Sequence, residues 1–207
     1  MNAFQVVRDF ERAVSEYTGA PFAVAVNSCT NALFLCLQWY KQAGRLPEAI
    51  EIPKLTYVSV PMQIMHAGAG IKFRDEQWTG VYQLAPLPVW DAARRFTSAM
   101  YDSGQFMCVS FHVSKTLGVD QGGAILHDDP RADEWFRRAR FDGRTEGVAP
   151  KKDKFNHLGW HHYISPPLAA QGLWRLSHLP KINKDLPNDD YPDLSEIPLF
   201  NGTMIRE

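Results

Sequence analysis

The sequence predicts an α/β fold built on a mostly parallel central sheet. Two patterns point there. Short apolar, β-branched runs alternate with helical periods through the first 75 residues, and polar turns join strand ends to helix starts. At 207 residues and 45% hydrophobic content, the chain has enough apolar material for one core of moderate size.

Phe4, Val7, Phe10, Val14 and Tyr17 recur at three- and four-residue steps, so a helix is expected up to Gly19 and Pro21. "FAVAV", Phe22 to Val26, reads as a buried strand. "NSCT" then leads into "NALFLCLQWYKQAG", a helix expected to close at Gly44. The unit repeats with "EIP" as a strand, a helix within "LTYVSVPMQIMHAGA", and "GIKFRD" as the next strand. The stretch Glu76 to Pro88 is too short for another helical crossover. "VWD" at 89–91 ends a short strand, "FMCVSF" at 106–111 is a buried one, and "GGAIL" at 122–126 is its hairpin partner or neighbour. Helical patterns return in "RADEWFRRARFDG", with Pro130 in its first turn, and in "SPPLAAQGLWRLSHL", with Ser165 as N-cap. Residues 1–178 thus form the expected domain. Residues 179–207, rich in Pro, Asn and Asp without sustained periodicity, are expected to be an irregular tail.

Twenty-two basic residues balance twenty-three acidic ones, so no global field draws the chain to nucleic acid or an anionic membrane. The basic clusters "RRAR" and "KKDK" read as a solvated helix face and a loop. No run approaches the length of a membrane span, and the N-terminus lacks the pattern of a signal peptide. Three cysteines inside apolar runs suit reduced thiols and a cytoplasmic location. His112, His161 and His162 show no recognised metal-ligand spacing.

Three segments carry candidate chemistry. "NSCTN" is a polar strand-to-helix turn, and such a turn offers unpaired amides at the positive end of a helix dipole to an anion, although Ser, Thr and Asn are also ordinary caps. Asp91 ends a short apolar run, where ligands collect in open α/β sheets. It serves equally as a helix N-cap, or as a partner of Arg94 and Arg95. Lys115 follows the strand ending at Phe111, with Ser110 and His112 beside it and Gly118, Gly122 and Gly123 after it. A lysine amine partly removed from water can form a Schiff base with a cofactor aldehyde. Pyridoxal 5'-phosphate (PLP) chemistry needs an anion cradle, a carboxylate for the pyridinium nitrogen and such a lysine.

The wording around these segments resembles the DegT/DnrJ/StrS family of PLP-dependent sugar aminotransferases, a fold-type-I group, over about residues 8 to 178. "FERAVSEYTGAPFAVAVNSCTNAL", "VWDAARRF", "SFHVSKTLGVDQGGAIL" and "LGWHHYISPPLAAQGLWRL" carry the resemblance, and the lysine segment is the most specific. It implies the large domain of that fold, a three-layer sandwich. It also implies Lys115 as Schiff-base lysine and proton shuttle, Asp91 as partner of the pyridinium nitrogen, and Thr30, Asn31 and Ser110 as phosphate ligands. Tyr57 falls at the position of a ring stacked on the cofactor. Arg94 stands where the family has glutamine or histidine near the ring hydroxyl. His161 stands where an asparagine reaches the partner subunit's cofactor phosphate in a homodimer, and Tyr163 stands where arginine is usual. Family members are nearly twice as long and carry a C-terminal small domain, which this shorter chain is expected to lack. The implied activity is transfer of an amino group from an amino acid to a keto-sugar nucleotide or related carbonyl compound. Two other readings remain at this point: a PLP enzyme of different outcome, such as decarboxylation or elimination, and a non-catalytic binding or assembly protein on a truncated scaffold.

Overall fold

The computed structural model describes residues 4–201. Seven strands run in chain order as β1 (Phe22–Val26), β2 (Ala49–Pro53), β3 (Gly70–Arg74), β4 (Tyr82–Gln83), β5 (Val89–Asp91), β6 (Phe106–Ser110) and β7 (Gly123–His127). The helices are α1 (Gln5–Thr18), α2 (Cys29–Gln42), α3 (Ser59–Ala67), α4 (Pro130–Ala139) and α5 (Pro166–Ser177). One sheet has the order β1-β7-β6-β5-β4, and β2 pairs with β3 in a second. Mutual hydrogen bonds between Glu51 and Ala85, at 2.8 and 3.0 Å, tie β2 to the chain leaving β4.

Alternating strand residues divide the core into two layers. Val24, Val26, Ile125 and Cys108 face α2, α3 and α4, whereas Ala23, Ala25, Leu126, Met107 and Val109 face α1 and α5. Helices therefore cover both faces in a three-layer sandwich. Because both faces are buried, β6 and β7 read as continuous apolar runs rather than alternating ones.

The expectation of a mostly parallel sheet needs correction. Only β5/β6 and β2/β3 pair in parallel, while β1/β7, β6/β7 and β4/β5 are antiparallel. Two reversed strands account for this. β7 runs back beside β6, putting antiparallel contacts on both its sides. β4 is joined to β5 by five residues, which leaves no room for a crossover helix and forces a hairpin. The compressed stretch after Glu76 is thus a strand reversal.

Local signals explain most boundaries. Ser28 Oγ accepts from Asn31 N at 3.1 Å to start α2, and Asp129 Oδ1 caps α4 by accepting from Arg131 N at 2.8 Å, with Pro130 in the first turn. Ser165 occupies the N-cap position of α5, but its side chain makes no capping hydrogen bond. α2 ends at Gln42, two residues before the expected Gly44. The free edge of β1 is closed by side chains: Glu11 Oε1 accepts from Ala25 N at 2.8 Å, and buried Arg140 donates to both Glu11 and Ala25 O. Among the described residues beyond α5 there is no further helix or strand except the short 3-10 turn Leu194–Glu196, yet this segment lies against the domain and buries Leu194 and Phe200.

Candidate active site

A cavity of about 590 Å³ opens where β1, β5 and β6 end, at the carboxyl edge of the co-directional strands. Thr30, Asn31, Tyr57, Asp91, Arg94, Ser110 and Lys115 line it together, although they come from segments spread over 86 residues, from 30 to 115. His161 lies elsewhere. Its side chain is 71% exposed, and its Nδ1 sits 2.9 Å from Asp142 Oδ2.

The first turn of α2 forms one wall. Its leading amides have no intrahelical acceptor, and they end a helix whose dipole is positive here. Thr30 Oγ1 lies 2.8 Å from Ser59 Oγ at the start of α3, and Asn31 Nδ2 donates to Asn27 Oδ1 at 2.7 Å. β7 passes directly beneath this turn. A Cβ on Gly123 would lie 2.6 Å from Cys29 N and 2.7 Å from Val109 O, so only glycine permits the approach.

Asp91 ends β5 and is 5% exposed. Its Oδ2 accepts from the Tyr82 hydroxyl and its Oδ1 from Ala93 N, both at 2.8 Å. Tyr82 lies opposite Asp91 in the β4/β5 register, and its oxygen pairs with Thr56 Oγ1 at 2.5 Å. No helix starts at Ala92, so Asp91 closes a turn rather than capping a helix. Nor does it pair with the adjacent arginines. Arg95 binds Asp185 through Nε and Nη2 at 2.8 and 2.6 Å, while Arg94 turns to Asp190 and Tyr191. Burial raises the Asp91 carboxyl above its usual range, against the lowering pull of the Ala93 amide, the Tyr82 hydroxyl and the charges of Lys115 and Arg94.

Lys115 sits on a loop pinned at its neck. Phe111 N donates to Gly122 O at 2.8 Å, and Val113 N to Asp120 O at 3.0 Å. The loop turns sharply at Gly118, where φ is +58° and an added Cβ would lie 3.1 Å from Val113 O, so a larger residue fits poorly. Burial, and then the nearby Arg94 charge, lower the Lys115 amine from its usual range, with Asp91 opposing. A larger share of free amine at neutral pH follows, which suits a nucleophile.

Several residues in and behind the cavity wall escaped the sequence reading. Tyr82 orients Asp91, and Trp78 packs edge-on against Tyr82 with ring centres 4.7 Å apart. Tyr191 and Asp190 come from the tail, where no periodic or motif signal marks them. Tyr191 stacks on Trp78 at 6.2 Å, and its ring lies under the Arg94 guanidinium at 4.6 Å. The shortness of Glu76–Pro88 excludes a crossover helix but carries no pointer to Tyr82 itself.

This arrangement brings a buried carboxylate, a partly desolvated amine and a helix N-terminus to one cavity. The sequence matches the DegT/DnrJ/EryC1/StrS aminotransferase family over residues 2–100 and 87–186. The chain belongs to this family. Among curated DegT/DnrJ/EryC1/StrS-type relatives, it is 46% identical to the spore coat polysaccharide biosynthesis protein SpsC of Bacillus subtilis (strain 168), over 86% of this chain and 58% of that protein. It is 21% identical to the UDP-4-amino-4,6-dideoxy-N-acetyl-beta-L-altrosamine transaminase of Campylobacter jejuni, over 97% of this chain and 65% of that one. The chain therefore spans 58% and 65% of the length of these two relatives. The SpsC alignment runs 230 residues but uses 86% of 207, about 178, so the relative carries extra residues inside the match. The two family matches overlap at residues 87–100, next to the β4–β5 hairpin. In three dimensions, the sugar aminotransferase CalS13 of Micromonospora echinospora aligns at a TM-score of 0.72, with 19% identity, over 84% of this chain and 60% of that one. DesV of S. venezuelae aligns at 0.67, with 21% identity, over 84% and 56%. These structural likenesses establish the fold.

Proposed function

We propose that this chain binds PLP through Lys115 and transfers an amino group from an amino acid to a keto-sugar nucleotide or a related carbonyl compound. The observation that carries the reading is the buried Asp91 carboxylate, held by Tyr82 and Ala93 N in the same cavity as Lys115 and the α2 N-terminus. The donor set fits the cofactor: an anion site, an acceptor for a ring N–H, and an amine for an aldehyde. When bound, PLP supplies an electron sink that makes a substrate C–H acidic.

The chain's own groups do the rest. The first α2 amides, with Thr30, Asn31 and Ser110, hold the phosphate. Asp91 keeps a proton on the ring nitrogen, and that new cation offsets the cost of burying its charge. Tyr57, 55% exposed at the cavity mouth, offers a flat face to the ring. Arg94, in the same cavity wall, would contribute a positive charge near the cofactor. Lys115, whose amine shares the cavity with Asp91, would hold the cofactor's aldehyde end and would serve as the group that takes up and returns a proton at the substrate carbon. His161, turned away from its own cavity, is assigned to the partner's phosphate in a homodimer. Among the described residues no helix is long and apolar enough to cross a membrane. All three cysteines are free and buried, which agrees with a cytoplasmic enzyme.

A sugar substrate is favoured by the relatives, one named for coat polysaccharide synthesis and one for an amino-sugar transaminase. The test is a pair of half-reactions. Amino acid added to PLP-loaded protein should bleach the visible band, and a keto-sugar nucleotide should restore it. Release of carbon dioxide instead would assign decarboxylation.

A further inference from the structure

A strap of the C-terminal chain crosses the mouth of the cavity and is fastened on both sides. On one side Arg95 grips both oxygens of Asp185, and Leu186 N donates to Arg94 O at 2.8 Å. On the other side Leu194 N donates to Lys54 O at 2.9 Å, and Lys54 Nζ lies 3.3 Å from Asp193 Oδ2. Between these anchors two strap residues take hold of Arg94. Its Nη2 donates to Asp190 Oδ1 at 2.7 Å and its Nε to the Tyr191 hydroxyl at 2.8 Å, with the guanidinium 4.6 Å above the Tyr191 ring.

We propose that Arg94 is the receptor for the α-carboxylate of the amino donor, and that Asp190 is a built-in surrogate which the donor displaces. The proposal rests on the transaminase reading. Its physical basis is the asymmetry of the ion pair. The Arg94 side chain is 13% exposed and that of Asp190 69%. A largely buried guanidinium needs an anion, whereas an exposed carboxylate loses little by returning to water. Exchange of one carboxylate for another on Arg94 is therefore cheap. Tyr191 keeps Nε and one guanidinium face engaged, so the fork stays aimed while Asp190 leaves.

Position argues the same way. An α-amino acid carries its carboxylate one carbon from the amine that must reach Lys115. That carboxylate has to land beside a cation sharing the cavity with Lys115, and Arg94 is the arginine lining it. His112, the other basic neighbour, has its Nδ1 engaged with Ser114 Oγ at 2.9 Å.

The test titrates PLP-loaded protein by calorimetry with glutarate, which carries carboxylates but no amine and cannot turn over. Asp190→Asn should tighten glutarate about five- to tenfold by removing the internal competitor. Arg94→Gln should weaken it at least about tenfold, with Arg94→Lys in between. The KM for L-glutamate should follow, and Arg94→Gln should raise it by a larger factor than it raises the KM for isoglutamine, whose α-carboxylate is an amide. Unchanged or weaker glutarate binding in Asp190→Asn overturns the proposal. So does a response to these substitutions by UDP, a diphosphate, in place of glutarate, and so does equal damage to L-glutamate and isoglutamine. Borohydride trapping on Lys115 in each variant separates the two claims. An intact adduct with unmoved glutarate binding sinks the surrogate alone. A missing adduct sinks the cofactor reading, and glutarate titration of the cofactor-free protein then decides the exchange at Arg94.

Discussion

Asp91 shows how a site residue works against the fold that holds it. Its carboxylate is 5% exposed, both oxygens are engaged, and burial raises its proton affinity. A carboxyl whose folded pKa is raised weakens the fold above that pKa, and the penalty fades as pH falls toward the unfolded value. Asp91→Asn should therefore stabilise the cofactor-free protein at neutral pH by about 1 kcal/mol, and the gain should shrink in acid. The same substitution should abolish tight PLP binding. Thermal melts across pH check the first expectation, and a PLP titration checks the second. The meeting of Asp91 and Lys115 in one cavity was legible because motifs cluster around them. Tyr191 was not, because its role depends on Arg94, 97 residues away in sequence, and no local pattern encodes such a contact.

Among the elements, those with strong local codes were readable. α1 announces itself by its apolar steps, and β1 and β6 by unbroken apolar runs, so their extents agree closely with expectation. Strand direction was less visible, because the same apolar run serves a parallel or an antiparallel neighbour. The short gap after Glu76 excludes a crossover helix but does not by itself mark β4, which the structure adds as a strand joined to β5 by five residues. Glycine positions carry similar weight. Gly123 lets β7 pass under the first turn of α2, and a Cβ there would sit 2.6 Å from Cys29 N. Gly123→Ala should cost about 1–3 kcal/mol through the forced backbone shift. It should also weaken PLP more than stability alone explains, because the shift moves the α2 amides proposed to hold the phosphate. Denaturant titration beside a PLP titration measures both.

Across the whole molecule, the two core layers are joined at the β1 edge by a buried charge cluster. Glu11 on α1 meets Arg140 and Arg137 on and beside α4, and all three reach the β1 backbone. Removing one member leaves buried charge uncompensated. Glu11→Ala should thus cost about 3–5 kcal/mol, while Glu146→Ala, which takes a looser partner 3.7 Å from Arg140, should cost far less. Comparison of unfolding midpoints decides this. The three-layer plan was legible because burial on both faces shapes the sequence of every strand. The docking of the tail over the site was not, since Pro- and Asp-rich chain looks the same whether it is solvated or strapped to a surface by arginines.

The proposed activity turns on the chemistry of one amine. PLP-loaded protein reduced with borohydride, digested and mapped by mass should carry a single pyridoxyl adduct on Lys115, and Lys115→Ala should carry none there and lose the visible band. An unmodified Lys115 in the wild type, or an equal band in the variant, would contradict it.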